Sequence, residues 1–397
     1  MFKLREHQLS ILNTLQENRK GQVIVPTGGG KTICMIEDAK YHLQFNSNSK
    51  TIVVVAPRIL LAQQLCEDFL EQNLDGNYNV GVNVLHVHSG ETHHTSTTKI
   101  DLIRDWMGNH VGDKIIFTTY HSLHKLMESD VFVDTIYFDE AHNSTQKNFI
   151  EATEYYSMYA DRCYFFTATP KHSKTPYKIG MNDEDIYGKV LASVPAPELV
   201  EQGVILPPKV IIKKIDVVDD SRFSQEKECD HLTSTIDDID VDKILICARS
   251  TKQIVNLISQ SDFCINLRDR GYSWMYITAK TGAVVDGVGV DRESFFNTLN
   301  AWGQDDSKRF VVIHLSILSE GINVKGLEAA LFLRNMDYIT ISQTIGRVIR
   351  KGNELKQYGL IVVPTYDKVG ISTSRKVEAV VDTIFTKGQP AISTVTK

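Results

Sequence analysis

Short runs of β-branched and aromatic residues, apolar on both alternating faces, recur along this chain with amphipathic stretches between them. They fall at residues 23–25, 51–56, 114–118, 135–138 and 162–167, and again at 243–248, 310–315, 329–333 and 359–363. A strand that is apolar on both faces must be covered on both, which is the condition of a parallel sheet packed between helices. ILLAQQLCEDFLE (59–71) and DRESFFNTLNAW (291–302) are examples of the amphipathic helices that would cover it. The alternation predicts an α/β fold, and its division into two sets predicts two tandem domains with parallel sheets flanked by helices. At 397 residues each domain has length enough for a full core.

Residues 193–209 (SVPAPELVEQGVILPPK) hold four of the ten prolines and no periodic core signal, and so mark the boundary. The expected division is 1–205, 206–365 and a Ser/Thr/Lys-rich C-terminal tail at 366–397. The acidic stretch 216–242 reads as a solvated loop or an exposed helix. No apolar run approaches the ~20 residues of a membrane span, so no membrane partner is expected. MFKLREHQLS has no signal-peptide core, which points to the cytoplasm. The six cysteines form no C-x-x-C pair and read as reduced, mostly buried thiols. His86, His88, His93 and His94 have no cysteine or carboxylate at ligand spacing and read as loop residues. A net charge of −6 excludes a general basic coat but not a local groove for phosphates.

The stretch VIVPTGGGKT (23–32) runs from a strand through glycines into Lys31 and Thr32, which open the helix ICMIEDAKYHL. Backbone amides at a helix N-terminus, with the helix dipole behind them, make a phosphate nest. Thr27, Gly28, Gly29 and Gly30 would wrap the phosphates, Lys31 would reach the outer ones, and Thr32 would ligate Mg²⁺. Val25 stands where the phosphate-loop pattern begins with glycine. It sits at the strand's end before the wrap, where a Cβ is tolerable. TIYFDEAH (135–142) is a hydrophobic strand ending in two carboxylates: Asp139 suits Mg²⁺, and Glu140 suits a general base for water. The two segments together specify nucleoside triphosphate hydrolysis.

The motifs resemble, in order and from residue 4 to about 352, those of the superfamily-two helicases and translocases. Leu4-Arg5-Glu6-His7-Gln8 is similar to the adenine-reading motif, with Gln8 on the base and Arg5 supporting it. Phe2, just before it, either stacks on the base or packs in the core. VPTGGGKT is similar to motif I, Ala56-Pro57-Arg58 to Ia, and Thr118-Thr119-Tyr120-His121-Ser122-Leu123 to Ib. Asp139-Glu140-Ala141-His142 is a DEAH box, and Thr167-Ala168-Thr169-Pro170 resembles motif III, which couples hydrolysis to movement. Ile246-Cys247-Ala248-Arg249-Ser250 falls where motif IV belongs. Ser319-Glu320-Gly321-Ile322-Asn323 resembles motif V, with Asn323 where the family usually has aspartate. Gln343-Thr344-Ile345-Gly346-Arg347-Val348-Ile349-Arg350 is similar to motif VI, whose arginines reach the γ-phosphate.

The resemblance implies two RecA-like domains and an ATP-dependent helicase or translocase, with ATP and Mg²⁺ in the cleft between the domains. Lys31, Asp139, Glu140, Gln343, Arg347 and Arg350 are its catalytic set. Gly321 and Asn323 join residues 5, 8 and 27–32 around the nucleotide, and His142, Thr167 and Thr169 couple. Arg58, Thr118, Thr119 and Ser316 are assigned to the nucleic-acid backbone. From the residues alone Arg58, Thr118 and Thr119 read equally as strand ends and caps. Thr281 is a weaker candidate of the same kind; Trp274 and Trp302 are left to the core. The compact chain is similar to phage and viral branch-migration helicases and restriction-enzyme motors. That favours DNA, with RNA possible, and a monomer that has accessory proteins at most. The alternatives are an RNA helicase, a duplex translocase that does not unwind, and a motor subunit of a larger complex.

Overall fold

The computed structural model describes residues 3–44, 49–73, 81–214, 224–278, 280–315, 326–351, 356–365 and 368–395. The chain divides into two compact units, Met1–Pro195 together with Pro390–Lys397, and Ala196–Gln389.

Unit 1 contains β1 (Lys20–Ile24), β2 (Thr51–Ala56), β3 (Asn83–Val87), β4 (Thr95–Ser96), β5 (Lys114–Thr119), β6 (Thr135–Phe138), β7 (Arg162–Thr167), β8 (Lys171–His172) and β9 (Val190–Ser193). All but β8 form one sheet in the order β4-β3-β5-β2-β6-β7-β1-β9. Every pairing in it is parallel. The two-faced apolar runs do what their pattern requires. Val53, Val55, Ile136, Phe138 and Phe165 enter the core on one face. Ile52, Val54, Ala56, Tyr137, Tyr164 and Phe166 enter the core on the other. Full burial of each such aliphatic side chain contributes roughly 1.5–3 kcal/mol.

A buried polar network fixes the helix Lys31–Gln44 against this sheet. Tyr137 donates its hydroxyl to Asp38 Oδ2 at 2.6 Å. Arg162 grips the same carboxylate with both terminal nitrogens, at 3.3 and 3.2 Å. Arg162 and Tyr164 also donate to the Leu15 carbonyl, at 2.9 and 2.8 Å, tying in the helix Glu6–Glu17.

Unit 2 contains β10 (Pro208–Lys214), β11 (Lys243–Cys247), β12 (Ser273–Thr278), β13 (Gly282–Val285), β14 (Val288–Val290), β15 (Phe310–His314), β16 (Ala329–Phe332) and β17 (Gly359–Thr365). Their order is β10-β17-β16-β11-β15-β12-β13-β14. The pairings are parallel from β10 to β12 and antiparallel at β12–β13 and β13–β14. The last strand, β18 (Ser393–Thr394), pairs with β8 in unit 1.

The structure departs from the sequence reading in particular places. The proline-rich stretch contains the change of unit, but at residues 195 and 196, because Leu199 of the helix Ala196–Glu201 is buried in unit 2. The segment read as a tail carries the helix Lys368–Val381, with Val377 and Val380 buried, before the chain returns to unit 1. The acidic stretch holds the helix Ser224–Ile239, which is packed because Cys229, Leu232 and Ile236 form a buried stripe at helical spacing. His86 is not a loop residue: it lies in β3, buried, with its ring stacked on Phe117 at 5.5 Å. His88 is buried beside it, with 3.0 Å between His86 Nδ1 and His88 Nε2. Trp274 is buried as expected, and Trp302 is half-buried under Lys308, whose ammonium lies 4.4 Å from the ring.

Candidate functional site

The loop after β1 is shaped by its glycines. Gly28 and Gly30 have φ of 89° and 88°, a region open to glycine and costly for other residues. The Gly29 amide closes a turn onto the Pro26 carbonyl at 2.9 Å. Val25 needs no glycine, because its side chain is buried in the core and its N–H donates to the Thr167 carbonyl of β7 at 3.0 Å. It belongs to the strand.

The helix Glu6–Glu17 closes the loop from one side. Gln8 is buried, and its Oε1 accepts the Arg5 N–H at 3.0 Å. Its amide nitrogen lies so close to Gly30 that a Cβ there would be 2.3 Å away. His7, which the sequence reading passed over, approaches the Gly29 carbonyl with Nε2 at 2.8 Å. The signal for it was its place beside Gln8, on the first turn of a helix that meets the loop. Arg5 is exposed.

Lys31 points across the loop to Glu140, with Nζ 3.4 Å from Oε1 and both side chains buried. Glu140 follows β6 directly and adopts a left-handed backbone, φ 46° and ψ 53°. A non-glycine residue pays about 1–3 kcal/mol for this, which is the kind of strain that collects at working sites. The turn it makes is held by Asn143, whose Nδ2 donates to the Glu140 carbonyl at 3.0 Å. Tyr120 donates its hydroxyl to the Asp139 carbonyl at 2.8 Å. Burial and the neighbouring Glu140 carboxylate push the Asp139 carboxyl well above the usual aspartate range, and Lys31 draws it back.

His142 joins this pair to β7. Its Nδ1 lies 3.6 Å from Glu140 Oε2 and 3.1 Å from the Thr167 hydroxyl. The Thr169 hydroxyl is 3.4 Å from the same nitrogen, and the Thr169 N–H donates to Thr167 Oγ1 at 3.1 Å. Unit 1 therefore brings together Lys31, Asp139, Glu140, His142, Thr167 and Thr169, with Thr32 at the start of the same helix as Lys31. The Thr27 hydroxyl is buried and has no hydrogen-bond partner. An orphaned donor in a glycine cradle fits a phosphate oxygen. Among the described residues no cluster of three or more His, Cys, Asp or Glu is placed to hold a metal by itself. Thr32 and Asp139 fit the other pattern, in which a divalent ion shares its ligands with phosphates.

The nucleic-acid candidates are placed unequally. Arg58 is exposed at the start of the helix Ile59–Asn73. Thr118 is fully buried and donates its hydroxyl to the Val87 carbonyl at 2.9 Å, which fixes it as a sheet residue rather than a phosphate contact. Thr119 is also buried, its hydroxyl 3.4 Å from that of Ser122. Ser316, Gly321, Asn323 and Phe2 lie outside the described residues. Thr281 is exposed and turns its hydroxyl to Thr278 at 2.7 Å.

In unit 2, Gln343 and Arg347 lie on the helix Tyr338–Val348, both buried, with Arg347 3% exposed. Asp337 caps that helix by accepting the Thr340 N–H at 2.8 Å. Arg350 follows its end, where Lys356 donates to the carbonyls of Val348 and Arg350, at 2.6 and 3.1 Å. Burial lowers the Lys356 ammonium to about 8. His314, at the end of β15, is pushed down to about 3 by burial and by Arg334 and Arg347. Its Nε2 lies 3.3 Å from Cys247 Sγ.

Two parallel-sheet α/β units, the first with a phosphate loop facing an acidic pair, define a tandem RecA-like protein. Residues 1–172 match the family described as Type III restriction enzyme, res subunit. No curated protein matches the chain. Among solved structures, the Type ISP restriction-modification enzyme LlaBIII bound to DNA aligns over 99% of this chain and 31% of its own, with TM-score 0.74 and 17% identity. A putative HsdR subunit of a type I restriction enzyme from Vibrio vulnificus YJ016 aligns over 98% and 68%, with TM-score 0.62 and 16% identity. A variant of S. cerevisiae Dbp5 bound to RNA and ADP BeF3 aligns over 99% and 90%, with TM-score 0.63 and 16% identity. The chain thus spans about a third of the length of LlaBIII. The family match covers the first 172 residues, and the solved structures share the tandem RecA-like fold.

Proposed function

We propose that this chain is an ATP-dependent nucleic-acid helicase or translocase, in which hydrolysis drives movement along DNA. The observation that carries the reading is the Lys31–Glu140 contact of 3.4 Å at a glycine cradle, with Asp139 beside it. Without nucleotide the lysine and the glutamate balance each other. An incoming triphosphate draws Lys31 to its outer oxygens and leaves Glu140 without its cation. Glu140 then accepts a proton from the water that attacks the γ-phosphorus, as the bond to the bridging β-phosphate oxygen breaks. Thr32 and Asp139 would hold Mg²⁺, which supplies neutralising charge on the β- and γ-oxygens when bound. Gln343, Arg347 and Arg350 are the groups unit 2 would contribute to the transferred phosphoryl.

His142 bridges Glu140 to Thr167 and Thr169, so a change at the carboxylate is felt at the end of β7. This is the route by which hydrolysis would reach the nucleic acid. Arg58 and Ser316 would touch its backbone, and Gln8 with Arg5 would favour adenine. The match to a restriction-enzyme family supports DNA. A neighbour bound to RNA that aligns over 90% of its own length keeps RNA as the second reading.

The test is ATPase activity without polymer and with single-stranded, duplex and forked DNA and with RNA, alongside Glu140→Gln. Stimulation by one polymer and a loss of at least ~10²-fold in kcat for the variant are expected. Equal hydrolysis in every lane, or a variant as active as wild type, would sink the reading.

A further inference from the structure

Directly after Thr169 the chain enters a loop whose chemistry the nucleotide site does not use. Residues 171–178 read KHSKTPYK: three lysines, one histidine and no acid, in a chain of net charge −6. Lys174 is exposed, Lys178 half-exposed, and Tyr177 is 96% exposed. The tyrosine presents a large flat apolar face to water, where stacking would be favoured.

The loop is not slack. Asn182 accepts the Ser173 N–H with Oδ1 at 2.7 Å and donates Nδ2 to the Ser173 carbonyl at 3.0 Å. The arms close so tightly that a Cβ on Gly180 would lie 2.1 Å from the Ser173 nitrogen. On the inner arm, Met181 N–H donates to the Lys171 carbonyl at 2.7 Å. On the other side of β8, the β18 segment donates from Ser393 N–H to the Pro170 carbonyl and from Val395 N–H to the His172 carbonyl, both at 3.0 Å. Pro170 adjoins Thr169, whose hydroxyl meets His142.

We infer that this loop is a contact for single-stranded nucleic acid, in which Tyr177 stacks on a base while Lys174 and Lys178 hold phosphates. The inference rests on the motor reading and names its strand-side element. An aromatic face with flanking cations suits a single strand, since every base has a π-face and lysines follow the backbone without reading sequence. A duplex would satisfy the lysines but offer no free base face to the ring. An apolar protein groove would take the ring and leave the lysines without counter-charge. Through β8, force on the loop reaches Thr169 and His142.

The experiment is fluorescence anisotropy of labelled oligodeoxythymidylate and oligouridylate across a salt series. The proteins are the wild type, Tyr177→Ala, Tyr177→Leu, Tyr177→Trp and the double variant Lys174→Ala/Lys178→Ala, each checked by thermal melting. Tyr177→Ala and Tyr177→Leu bind about tenfold more weakly with the salt slope unchanged, and Tyr177→Trp restores affinity. The lysine pair lowers the salt slope by ~1.4, about 0.7 for each phosphate contact. The polymer with the larger loss is the strand the loop serves. Wild-type binding that every variant retains overturns the loop while leaving the motor reading intact. Equal loss in Tyr177→Leu and Tyr177→Trp overturns stacking. Absence of wild-type binding to both polymers overturns the loop as a single-strand contact, and the ATPase lanes with duplex and forked DNA then decide the motor reading.

Discussion

The two units share a parallel α/β plan but hold their buried charges differently. In unit 1 the two cations nearest the loop helix Lys31–Gln44 meet carboxylates: Lys31 faces Glu140 and Arg162 grips Asp38. In unit 2 the ammonium groups of buried Lys243 and half-buried Lys356 are held by main-chain carbonyls. Lys243 donates to the Gly303 carbonyl at 2.9 Å, and Lys356 donates to those of Leu327, Val348 and Arg350. Carbonyl dipoles orient a cation without cancelling its charge, and Lys356 lies just beyond the helix that carries Arg347. His314 lies in the same unit, its proton affinity depressed first by burial and then by Arg334 and Arg347. The contrast is thus between paired charges around Lys31 in unit 1 and a carbonyl-held cation beside Arg350 in unit 2.

The sharpest way to break this contrast is Arg347→Ala. On the motor reading it lowers kcat by about 10³-fold or more while nucleotide binding persists, because an arginine on the transferred phosphoryl acts mainly in the transition state. Single-turnover hydrolysis with a separate binding measurement decides it; equal losses in both would place Arg347 in binding alone.

A smaller difference separates the buried pairs. Asp38→Ala leaves the mostly buried Arg162 without its acid and destabilises unit 1 by about 3 kcal/mol. Lys356→Met removes charged hydrogen bonds to carbonyls but also removes the cost of burying the charge, so about 1–3 kcal/mol is lost. Chemical denaturation of both variants compares them, and a larger loss in Lys356→Met would reverse the contrast.

The smallest effect concerns acid. His86 in unit 1 and His314 in unit 2 are both pushed down to about 3, chiefly by burial. Folded-state values below the unfolded ~6.5 mean that each ring takes up a proton on unfolding. Their contribution is therefore complete above pH 6.5 and is lost as pH falls towards 3. His86→Phe, next to Phe117, should flatten the melting-temperature profile between those limits; an unchanged slope would show that other groups set it.

Much of this architecture was legible because its strands had to be apolar on both faces. Runs such as 51–56 and 162–167 became β2 and β7 with the ends the pattern gave them. The strands that escaped notice were partly polar. β3 carries His86 within it, and an imidazole in an apolar run breaks the signal even when a neighbouring histidine satisfies it. β13 and β14 form an exposed antiparallel edge with little burial to pattern them. At the site, Lys31, Asp139 and Glu140 were legible because the phosphate loop and the acidic strand end are local. His7 was passed over, since its partner is a backbone carbonyl and only its place beside Gln8 pointed to it. Thr118 was misplaced for the opposite reason: a threonine at a strand end reads the same whether its hydroxyl faces solvent or the Val87 carbonyl.

The pairing of β18 with β8 has a consequence for how the chain is made. Unit 2 lies within unit 1 along the sequence, because residues 390–397 return to the first unit. During synthesis the main sheet of unit 1 is complete once β9 has emerged, while β8 waits for a partner until the whole of unit 2 has been translated. The ladder beside Thr169 therefore forms only after unit 2 has been translated. A ribosome-bound chain lacking it would carry an assembled phosphate loop but an unbraced outlet from His142.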